Sequence, residues 1–218
     1  MQRCPLCQST SNSWFFGYER KEFGQLFQRD YYLCSHCELV FLNPNQRLQP
    51  DQEKSRYTTH QNNVLDPGYR QFLRQLWDPL KRQIQPGACG LDYGCGPTKA
   101  LAGLAAGEPY TIESYDPYFC NNKEALLKLY DFVFCSEVVE HLYHPGETLK
   151  QIFSLCAPGG VVGVMTSMLM DLERFPRWHY HHDATHVVFY QPTTMRWIAE
   201  HFQCSLSLES EKVALFHV

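Results

Sequence analysis

The sequence predicts an α/β fold in which a mostly parallel sheet carries helices on both faces, preceded by a small cysteine-based module. From about residue 88 onward, short apolar strand patterns alternate with helical patterns, which is typical of chains that form a parallel sheet. Near the N-terminus stand two Cys-x-x-Cys pairs. Together these observations predict three parts: a cysteine module over residues 1–45, a helical linker or cap over 46–86, and the α/β domain over 87–218.

The N-terminal module is predicted to be a zinc ribbon. Two Cys-x-x-Cys pairs can supply four thiolates to one tetrahedral Zn²⁺, which would add the stability that so small a core lacks. The 26 residues between the pairs are strand-like and somewhat longer than in most ribbons. Free reduced cysteines and an iron–sulfur site are the alternatives, and His36 is not expected to bind the metal. The predicted ligands are Cys4, Cys7, Cys34 and Cys37.

Composition narrows the class of protein. The other six cysteines are scattered singly, which indicates a reducing compartment and small buried side chains rather than disulfides. No apolar run approaches the roughly 20 residues of a membrane span, and the first residues lack the apolar core of a signal peptide, so a soluble, cytoplasmic protein is predicted. A net charge of −4 without a Lys/Arg block disfavours nucleic acid as the main partner without excluding it. The oligomeric state is not predicted.

The middle segment is polar at first and then reads as an amphipathic helix that packs on the sheet. "DPG" begins this helix and "QPG" ends it. Tyr57, His60 and Asn62, which precede it, either cap a ligand pocket or belong to a surface linker. The apolar residues recur at helical spacing: Tyr69, Phe72, Leu73, Leu76, Trp77, Leu80 and Ile84.

The α/β domain is predicted from four strand and three helix patterns. The strands are "CGLDYG", "TIESYD", "YDFVFC" and "VVGVMTS", and the helices are "KALAGLAAG", "GETLKQIFSLC" and "PTTMRWIAEHF". The tail alternates like two strands joined by a tight turn and predicts an antiparallel edge. The stretch 117–129 is short, so the third strand is reduced or missing. One apolar face is predicted on the second helix: Leu149, Ile152, Phe153 and Cys156.

A ligand loop is predicted where "LDYGCGPTKAL" joins the first strand to the first helix. Open α/β sheets bind ligands at the carboxyl ends of their strands, where glycines let the backbone approach closely. Asp116 ends the next strand, and an acid there can accept hydrogen bonds from two ribose hydroxyls. A nicotinamide dehydrogenase would carry a further glycine at the position of Lys99, so the loop favours another ligand.

The stretch "CSEVVEHLYHP" carries a candidate catalytic or metal-binding cluster. Glu137, Glu140 and His141 would share one face if the segment were helical, and carboxylates with imidazoles suit divalent metals. Ordinary charges at a helix start are the alternative. The later segment "WHYHHDATHVVFY" adds His186 as a candidate fourth ligand, and its Trp178, His179, Tyr180 and His182 are expected to shape a substrate pocket, with core packing as the alternative for Trp178.

The motifs "LDYGCG", "YDP", "YDFVFCSEVVEHL" and "APGGVVGVMT" together resemble class I S-adenosylmethionine-dependent methyltransferases, from Ala88 to the C-terminus. The whole chain resembles a bacterial subset with an N-terminal zinc ribbon. The resemblance implies a Rossmann-like sheet of the seven-stranded type. It also implies that Gly94 and Gly96 line the methionine of the cofactor, that Asp92 orients its amino group, and that Asp116 holds its ribose. Thr98 departs from a glycine that is frequent in the family. The remaining implied cofactor contacts are Tyr93, Cys95, Pro117, Cys135, Ser136 and Glu137.

The acid–histidine cluster resembles that of two narrower groups, the small-RNA 3′-end 2′-O-methyltransferases and the ubiquinone-pathway O-methyltransferases. This resemblance implies a second, divalent metal bound by Glu137, Glu140, His141 and His186. His141 or His186 acting as a general base without metal is an equal alternative. The predicted function is S-adenosylmethionine-dependent O- or C-methylation of a small molecule. An RNA methyltransferase whose ribbon binds RNA and a non-catalytic cofactor-binding protein are the alternatives.

Overall fold

A computed structural model describes residues 2–22, 25–57 and 65–218, with side chains described outside positions 20–27. The N-terminal cysteine module contains three antiparallel strands, β1 (Asn12–Glu22), β2 (Gln25–Cys34) and β3 (Val40–Leu42). A fourth strand, β8 (Val188–Phe189), comes from the far end of the chain and pairs antiparallel with β3. The sheet order is therefore β1-β2-β3-β8, so this module takes one of its strands from the α/β part.

Two helices connect the module to the main sheet. Helix α1 (Pro50–Tyr57) was not predicted, because its sequence is polar and its single buried residue is Glu53. Helix α2 (Pro67–Lys81) begins as predicted, with the Asp66 side chain accepting a hydrogen bond from the Gly68 N–H. It ends before the predicted Ile84. His60 and Asn62 lie outside the described residues.

The main sheet has six strands in the order β5-β4-β6-β7-β10-β9. Strands β5, β4, β6 and β7 run parallel, and β10 and β9 add the predicted antiparallel edge. This confirms the mostly parallel α/β fold. The strand bounds are β4 (Cys89–Tyr93), β5 (Thr111–Tyr115), β6 (Tyr130–Ser136), β7 (Cys156–Met165), β9 (Ser205–Leu208) and β10 (Val213–His217).

Alternation along the strands gives the sheet two apolar faces. Phe132 and Phe134 of β6 face α2 and the short helix α3 (Ala100–Leu104), while Val133 and Cys135 face the opposite side. That opposite face is covered by α4 (Pro145–Ser154) and α5 (Pro192–His201). The cysteine module joins the same core, because Tyr31 and Phe41 are buried in it.

The stretch between β5 and β6 holds only an isolated bridge, Asp116 to Cys120, and a 3₁₀ turn, Lys123–Leu127. The third strand of a seven-stranded sheet is thus missing from residues 116–129, all of which the structure describes. Consequently β5 is the edge strand, and its outer side faces this short connection rather than another strand.

Several element boundaries differ from the prediction. Helix α3 has five residues, about half of "KALAGLAAG": Lys99 precedes it in the left-handed region with a φ of 48°, and Ala105 ends it before Gly107. Cys156 was placed on the face of α4, but it begins β7 and pairs with Tyr130. The Pro158-Gly159 sequence is incorporated in β7 instead of ending a helix. Among the scattered cysteines, Cys89 is exposed and Cys120 and Cys204 are half-buried, so burial holds for only three: Cys95, Cys135 and Cys156.

None of the helices in the described part of the chain combines the length and the apolar character needed to cross a bilayer. The division into three parts stays a prediction. The β3–β8 pairing shows that the first part and the third share one sheet.

Candidate functional site

A cavity of ≈ 680 Å³ lies at the carboxyl ends of β4, β5 and β6. The loop after β4 forms one wall, the loop after β5 forms a second, and residues of α1 and of the start of α2 line the cavity as well. This volume is within the range of small-molecule and cofactor sites. The lining includes most of the predicted cofactor contacts: Tyr93, Gly94, Cys95, Gly96, Asp116, Pro117, Ser136 and Glu137.

The loop after β4 depends on glycine at two positions. Gly94 has φ +78° and Gly96 has φ +62°, a region that residues with a Cβ adopt only at a cost. A Cβ on Gly94 would lie 2.3 Å from Cγ2 of Val138, whereas a Cβ on Gly96 would meet no heavy atom within 4 Å. The turn at Gly94 therefore packs against the loop after β6, and Gly96 borders open space.

We expect Gly94→Ala to destabilise the fold by about 2–4 kcal/mol, because backbone strain adds to a steric clash. Urea unfolding measures this change. Gly107→Ala is the matched control, since Gly107 has φ +83° but a Cβ there meets nothing within 4 Å. Equal losses in the two variants would show that Val138 does not constrain the loop.

Asp116 closes the loop from β5. Its Oδ2 accepts a hydrogen bond from the Gly96 N–H at 3.1 Å, and its Oδ1 accepts from the N–H groups of Tyr118 (2.8 Å) and Phe119 (3.0 Å). Each carboxylate oxygen has two lone pairs, so Oδ2 keeps capacity for a ligand hydroxyl. Asp116 thus joins the two ligand loops and faces the cavity.

Asp92 and Cys135 do not line the cavity. Asp92 is 4% exposed and lies on the face of β4 that packs toward α3. Burial raises the pKa of Asp92 to about 7, although the backbone of Leu101 acts in the opposite direction. Asp92 therefore supports the glycine loop from behind.

The raised pKa of Asp92 makes stability depend on pH. A carboxyl whose folded pKa is raised contributes most below its unfolded pKa, and this contribution is lost as the pH rises through the folded value. For Asp92 the window runs from about 4 to about 7. We expect the stability of Asp92→Asn relative to wild type to increase by roughly 2–3 kcal/mol between pH 5 and 8. Chemical unfolding at both pH values tests this, with Asp78→Asn at a partly exposed position of α2 as control; a constant difference would contradict it.

The acid–histidine cluster is not on one helical face. Glu137 follows β6 with φ +51°, and only Val139–His141 form a single 3₁₀ turn. The αL backbone of Glu137 breaks the helical spacing that the sequence suggested. The structure instead brings together Glu140, His141 and His186, which can each offer one ligand atom within 4.8 Å of the others. Glu137 is outside this group.

The two histidine rings are held by backbone carbonyls. His141 Nδ1 lies 3.1 Å from the Thr185 carbonyl oxygen, and His186 Nδ1 lies 2.7 Å from that of Tyr180. A carbonyl only accepts hydrogen bonds, so we assign the proton of each neutral ring to Nδ1. This tautomer presents the Nε2 lone pair, as in metal-binding and general-base histidines. The ring centroids are 4.7 Å apart.

The carboxylates of the cluster are strongly perturbed. Glu140 is fully buried, and burial raises its pKa although the Tyr180 hydroxyl, 2.5 Å from Oε1, opposes the rise. Its Oε2 has no hydrogen-bond partner in the described part of the chain. Burial, followed by the proximity of Glu140, raises the pKa of Glu137 to about 9. A buried unpaired carboxylate oxygen is costly unless it receives a cation or a proton, so Glu140 is suited to both.

The cysteine module positions the loop that carries His186. Arg29 of β2, 4% exposed, donates from Nη2 to the Ala184 carbonyl oxygen at 3.2 Å. The Leu42 N–H donates to the Val187 carbonyl, and the Val187 N–H donates to the Glu140 carbonyl. The loop that carries His186 is therefore hydrogen-bonded both to the cysteine module and to the turn that contains Glu140.

The four module cysteines converge as predicted. Cys4 Sγ lies 3.6 Å from Cys37 Sγ, and Cys7 Sγ lies 3.5 Å from Cys34 Sγ. Tetrahedral zinc with bonds of about 2.3 Å separates sulfurs by about 3.8 Å, so the cluster fits a small zinc site. The hydrogen bond from the Cys37 thiol lowers the pKa of Cys4 to about 6, which favours a thiolate there.

The aromatic and histidine segment was predicted to shape the pocket, but Trp178, His179, Tyr180 and His182 do not line the cavity. Trp178 packs on Phe175, Tyr180 and Phe189, and Tyr180 lies behind Glu140. Tyr57 does line the cavity, with its ring edge-on to His141 at 5.3 Å. Sequence reasoning missed Glu53, Arg29 and Tyr143. Only the isolated acid in a polar helix would have marked Glu53.

Comparisons with known proteins agree with this architecture. The profile of a family described as a methyltransferase domain matches residues 61–208. A search of curated proteins found no match.

Three solved structures are similar in fold. A chain from the complex between the Haloferax volcanii Trm112 methyltransferase activator and a methyltransferase has a TM-score of 0.56 at 13% identity, with 78% of this chain and 99% of that chain covered. An O-methyltransferase family protein from Burkholderia thailandensis has a TM-score of 0.51 at 12% identity, covering 76% and 62%. A methyltransferase from Bacillus halodurans has 0.50 at 14%, covering 62% and 67%. At these identities the likeness shows the fold.

Proposed function

Because this chain belongs to the methyltransferase domain family, we propose that it transfers the methyl group of S-adenosylmethionine to an oxygen or carbon atom of a small molecule. One observation carries the proposal: the glycine loop, Asp116 and the histidine pair line a single cavity. A ligand held by the loops after β4 and β5 would therefore lie beside groups able to accept a proton.

The residues present fit this cofactor. Gly96 leaves the loop open toward the cavity, and Asp116 Oδ2 keeps lone-pair capacity for a ribose hydroxyl. Tyr118, 38% exposed, follows Asp116 and Pro117 and supplies an aromatic face for the adenine. Gly94, Cys95 and Ser136 would flank the methionine part.

The cofactor supplies an electrophilic methyl group, and the chain supplies position and a base. Holding the acceptor atom in line with that methyl group reduces the barrier by proximity and orientation. His141 or His186 would take the acceptor proton at Nε2, while the Thr185 and Tyr180 carbonyls stabilise the resulting imidazolium through Nδ1.

We extend the proposal to a divalent metal that is bound by the same cluster. Glu140, His141 and His186 would hold it, since Glu140 Oε2 is unpaired and both Nδ1 atoms are engaged with carbonyls. A metal there would lower the pKa of a substrate hydroxyl. No observation favours RNA as the acceptor, because none of the described residues lining the cavity is Lys or Arg. The cysteine module is proposed to bind structural zinc.

Calorimetry with S-adenosylhomocysteine tests the cofactor site. Asp116→Asn is expected to weaken binding about 30- to 100-fold, because the amide N–H₂ faces the Gly96 N–H and no longer accepts from the ribose. Glu113→Gln on the same strand is the matched control, since Glu113 pairs with Lys128 at the surface. Wild-type protein that fails to bind S-adenosylhomocysteine would refute the proposed function.

A further inference from the structure

Helix α1 brings a carboxylate into the cavity instead of an apolar face. Its only buried residue is Glu53, which is 7% exposed and lines the cavity. Helices at a protein surface normally bury apolar side chains, and burying a carboxylate is costly without a partner. Among the side chains that the structure describes, none forms an ion pair with Glu53. Its position therefore indicates a role toward a ligand.

Two phenols orient this carboxylate. The Tyr57 hydroxyl donates to Oε1 at 2.7 Å, and the Tyr118 hydroxyl donates to Oε2 at 3.1 Å. An ionised carboxylate has about four acceptor sites, so these bonds fix its direction and leave capacity for another donor. Tyr118 belongs to the proposed cofactor side, whereas the Tyr57 ring contacts His141. Glu53 thus lies between the proposed cofactor site and the proposed catalytic histidines.

The charge and chemistry of the cavity favour a cationic acceptor. Its described lining includes the acids Glu53 and Asp116 and no Lys or Arg, whereas burial raises the pKa of Glu137 to about 9 and leaves that carboxyl neutral near pH 7. An anionic acceptor would enter without a counter-ion. Aromatic rings, among them Tyr57 and Tyr69, also line the cavity, and ammonium groups bind favourably to such faces.

We infer that Glu53 is the acceptor-recognition residue and that it binds a protonated amine of the methyl acceptor. This inference rests on the proposed function and adds a substrate class to it. Glu53 lies before residue 61, outside the stretch that matches the methyltransferase profile. The specificity of the cavity is therefore supplied by the connecting segment rather than by the common α/β part.

Three phenols of matched shape test the inference by calorimetry on the full chain saturated with S-adenosylhomocysteine. Tyramine carries an ammonium group, 4-ethylphenol is neutral, and 4-hydroxyphenylacetate is an anion. We expect wild type to bind tyramine at least about tenfold more tightly than 4-ethylphenol and to bind the anion most weakly. Glu53→Gln keeps the shape of the side chain, with its carbonyl oxygen accepting from one phenol and its N–H₂ donating to the other, and should remove that preference. Asp51→Asn on the exposed side of α1 should retain it.

The outcomes separate the acceptor role from the cofactor role. A wild-type protein without the tenfold preference, or a preference that survives in Glu53→Gln, overturns the inference. So does a loss of S-adenosylhomocysteine affinity in Glu53→Gln that matches its loss of tyramine affinity, because Glu53 would then contact the cofactor. If S-adenosylhomocysteine does not bind at all, the proposed function fails, and the same comparison on the ligand-free protein still decides the amine preference.

Discussion

Replacing Cys34 with serine is expected to lower the stability of the whole chain and to release the loop that carries His186. Cys34 ends β2, which pairs with β3, and β3 pairs with β8 two residues after His186. Structural zinc sites supply roughly 10–16 kcal/mol of apparent binding free energy in small domains. Loss of one thiolate should therefore weaken the sheet that supports the loop, with a decrease of several kcal/mol in stability.

Three measurements check this expectation. Mass spectrometry should find one zinc per wild-type chain and less than one in Cys34→Ser. Thermal unfolding should begin at a lower temperature, and hydrogen exchange should accelerate at residues 184–190. Cys204→Ser, a half-buried cysteine away from the cluster, is the matched control. Unchanged exchange at 184–190 in a zinc-free Cys34→Ser protein would show that the module does not position His186.

Arg29→Met tests whether the cysteine module positions the loop that carries His186 without disturbing the folding of the chain. This change removes the hydrogen bond to Ala184 and also removes a buried guanidinium whose Nη1 has no partner among the described residues. Replacing a buried charge by an apolar side chain of similar volume is often close to neutral for stability. We therefore expect nearly wild-type thermal unfolding together with faster exchange at 184–190.

The parts of the site that the sequence predicted have local signals. Both Cys-x-x-Cys pairs converge because short knuckles constrain the two thiols of each pair, and the glycine loop and Asp116 end adjacent parallel strands that must meet at one edge. These features depend on spacing within a few residues or on strand order. They could be predicted because residue spacing and strand order can both be inferred from the sequence alone.

The remaining features depend on contacts between distant segments. Strand β8 has two residues and pairs with β3 almost 150 positions earlier, so no local pattern reports it. Helix α1 lacks an apolar stripe, and Glu53, the residue that we propose for acceptor recognition, is the one that breaks amphipathic patterning. Glu137 does not lie on the expected helical face, because its backbone adopts a positive φ directly after β6. In each case tertiary context overrode the local preference.

Glu140→Gln is expected to abolish binding of a second metal while making the metal-free protein more stable. Glu140 is fully buried, so burial raises its pKa and its ionised form is costly. The protonated Glu140 side chain therefore contributes most to stability at low pH, and this contribution is lost as the pH rises. A neutral amide removes the cost, and it also removes the only carboxylate of the group formed with His141 and His186. Function and stability should therefore change in opposite directions.

Electron paramagnetic resonance with Mn²⁺, recorded on zinc-loaded protein, measures the binding half of this prediction. We expect Glu140→Gln, His141→Ala and His186→Ala each to weaken Mn²⁺ binding by at least about 100-fold, because each removes a ligand. Glu137→Gln is the matched control: it replaces the neighbouring carboxyl, which is not one of the three residues brought together, and should weaken binding less than about tenfold. Equal losses for Glu137 and Glu140 would restore the four-ligand site that the sequence suggested.

Thermal unfolding at pH 8 measures the predicted gain in stability of Glu140→Gln. Without Mn²⁺, Glu140→Gln should unfold at a higher temperature than wild type, and added Mn²⁺ should stabilise wild type alone, because a ligand stabilises only the protein that binds it. Tyr180→Phe provides a second comparison, since it leaves Glu140 ionisable but removes its 2.5 Å hydrogen bond and should lower stability. A wild-type protein that binds no Mn²⁺ beside its zinc, yet shows the predicted gain in Glu140→Gln, would leave His141 and His186 as general bases without metal, with Glu140 protonated behind them.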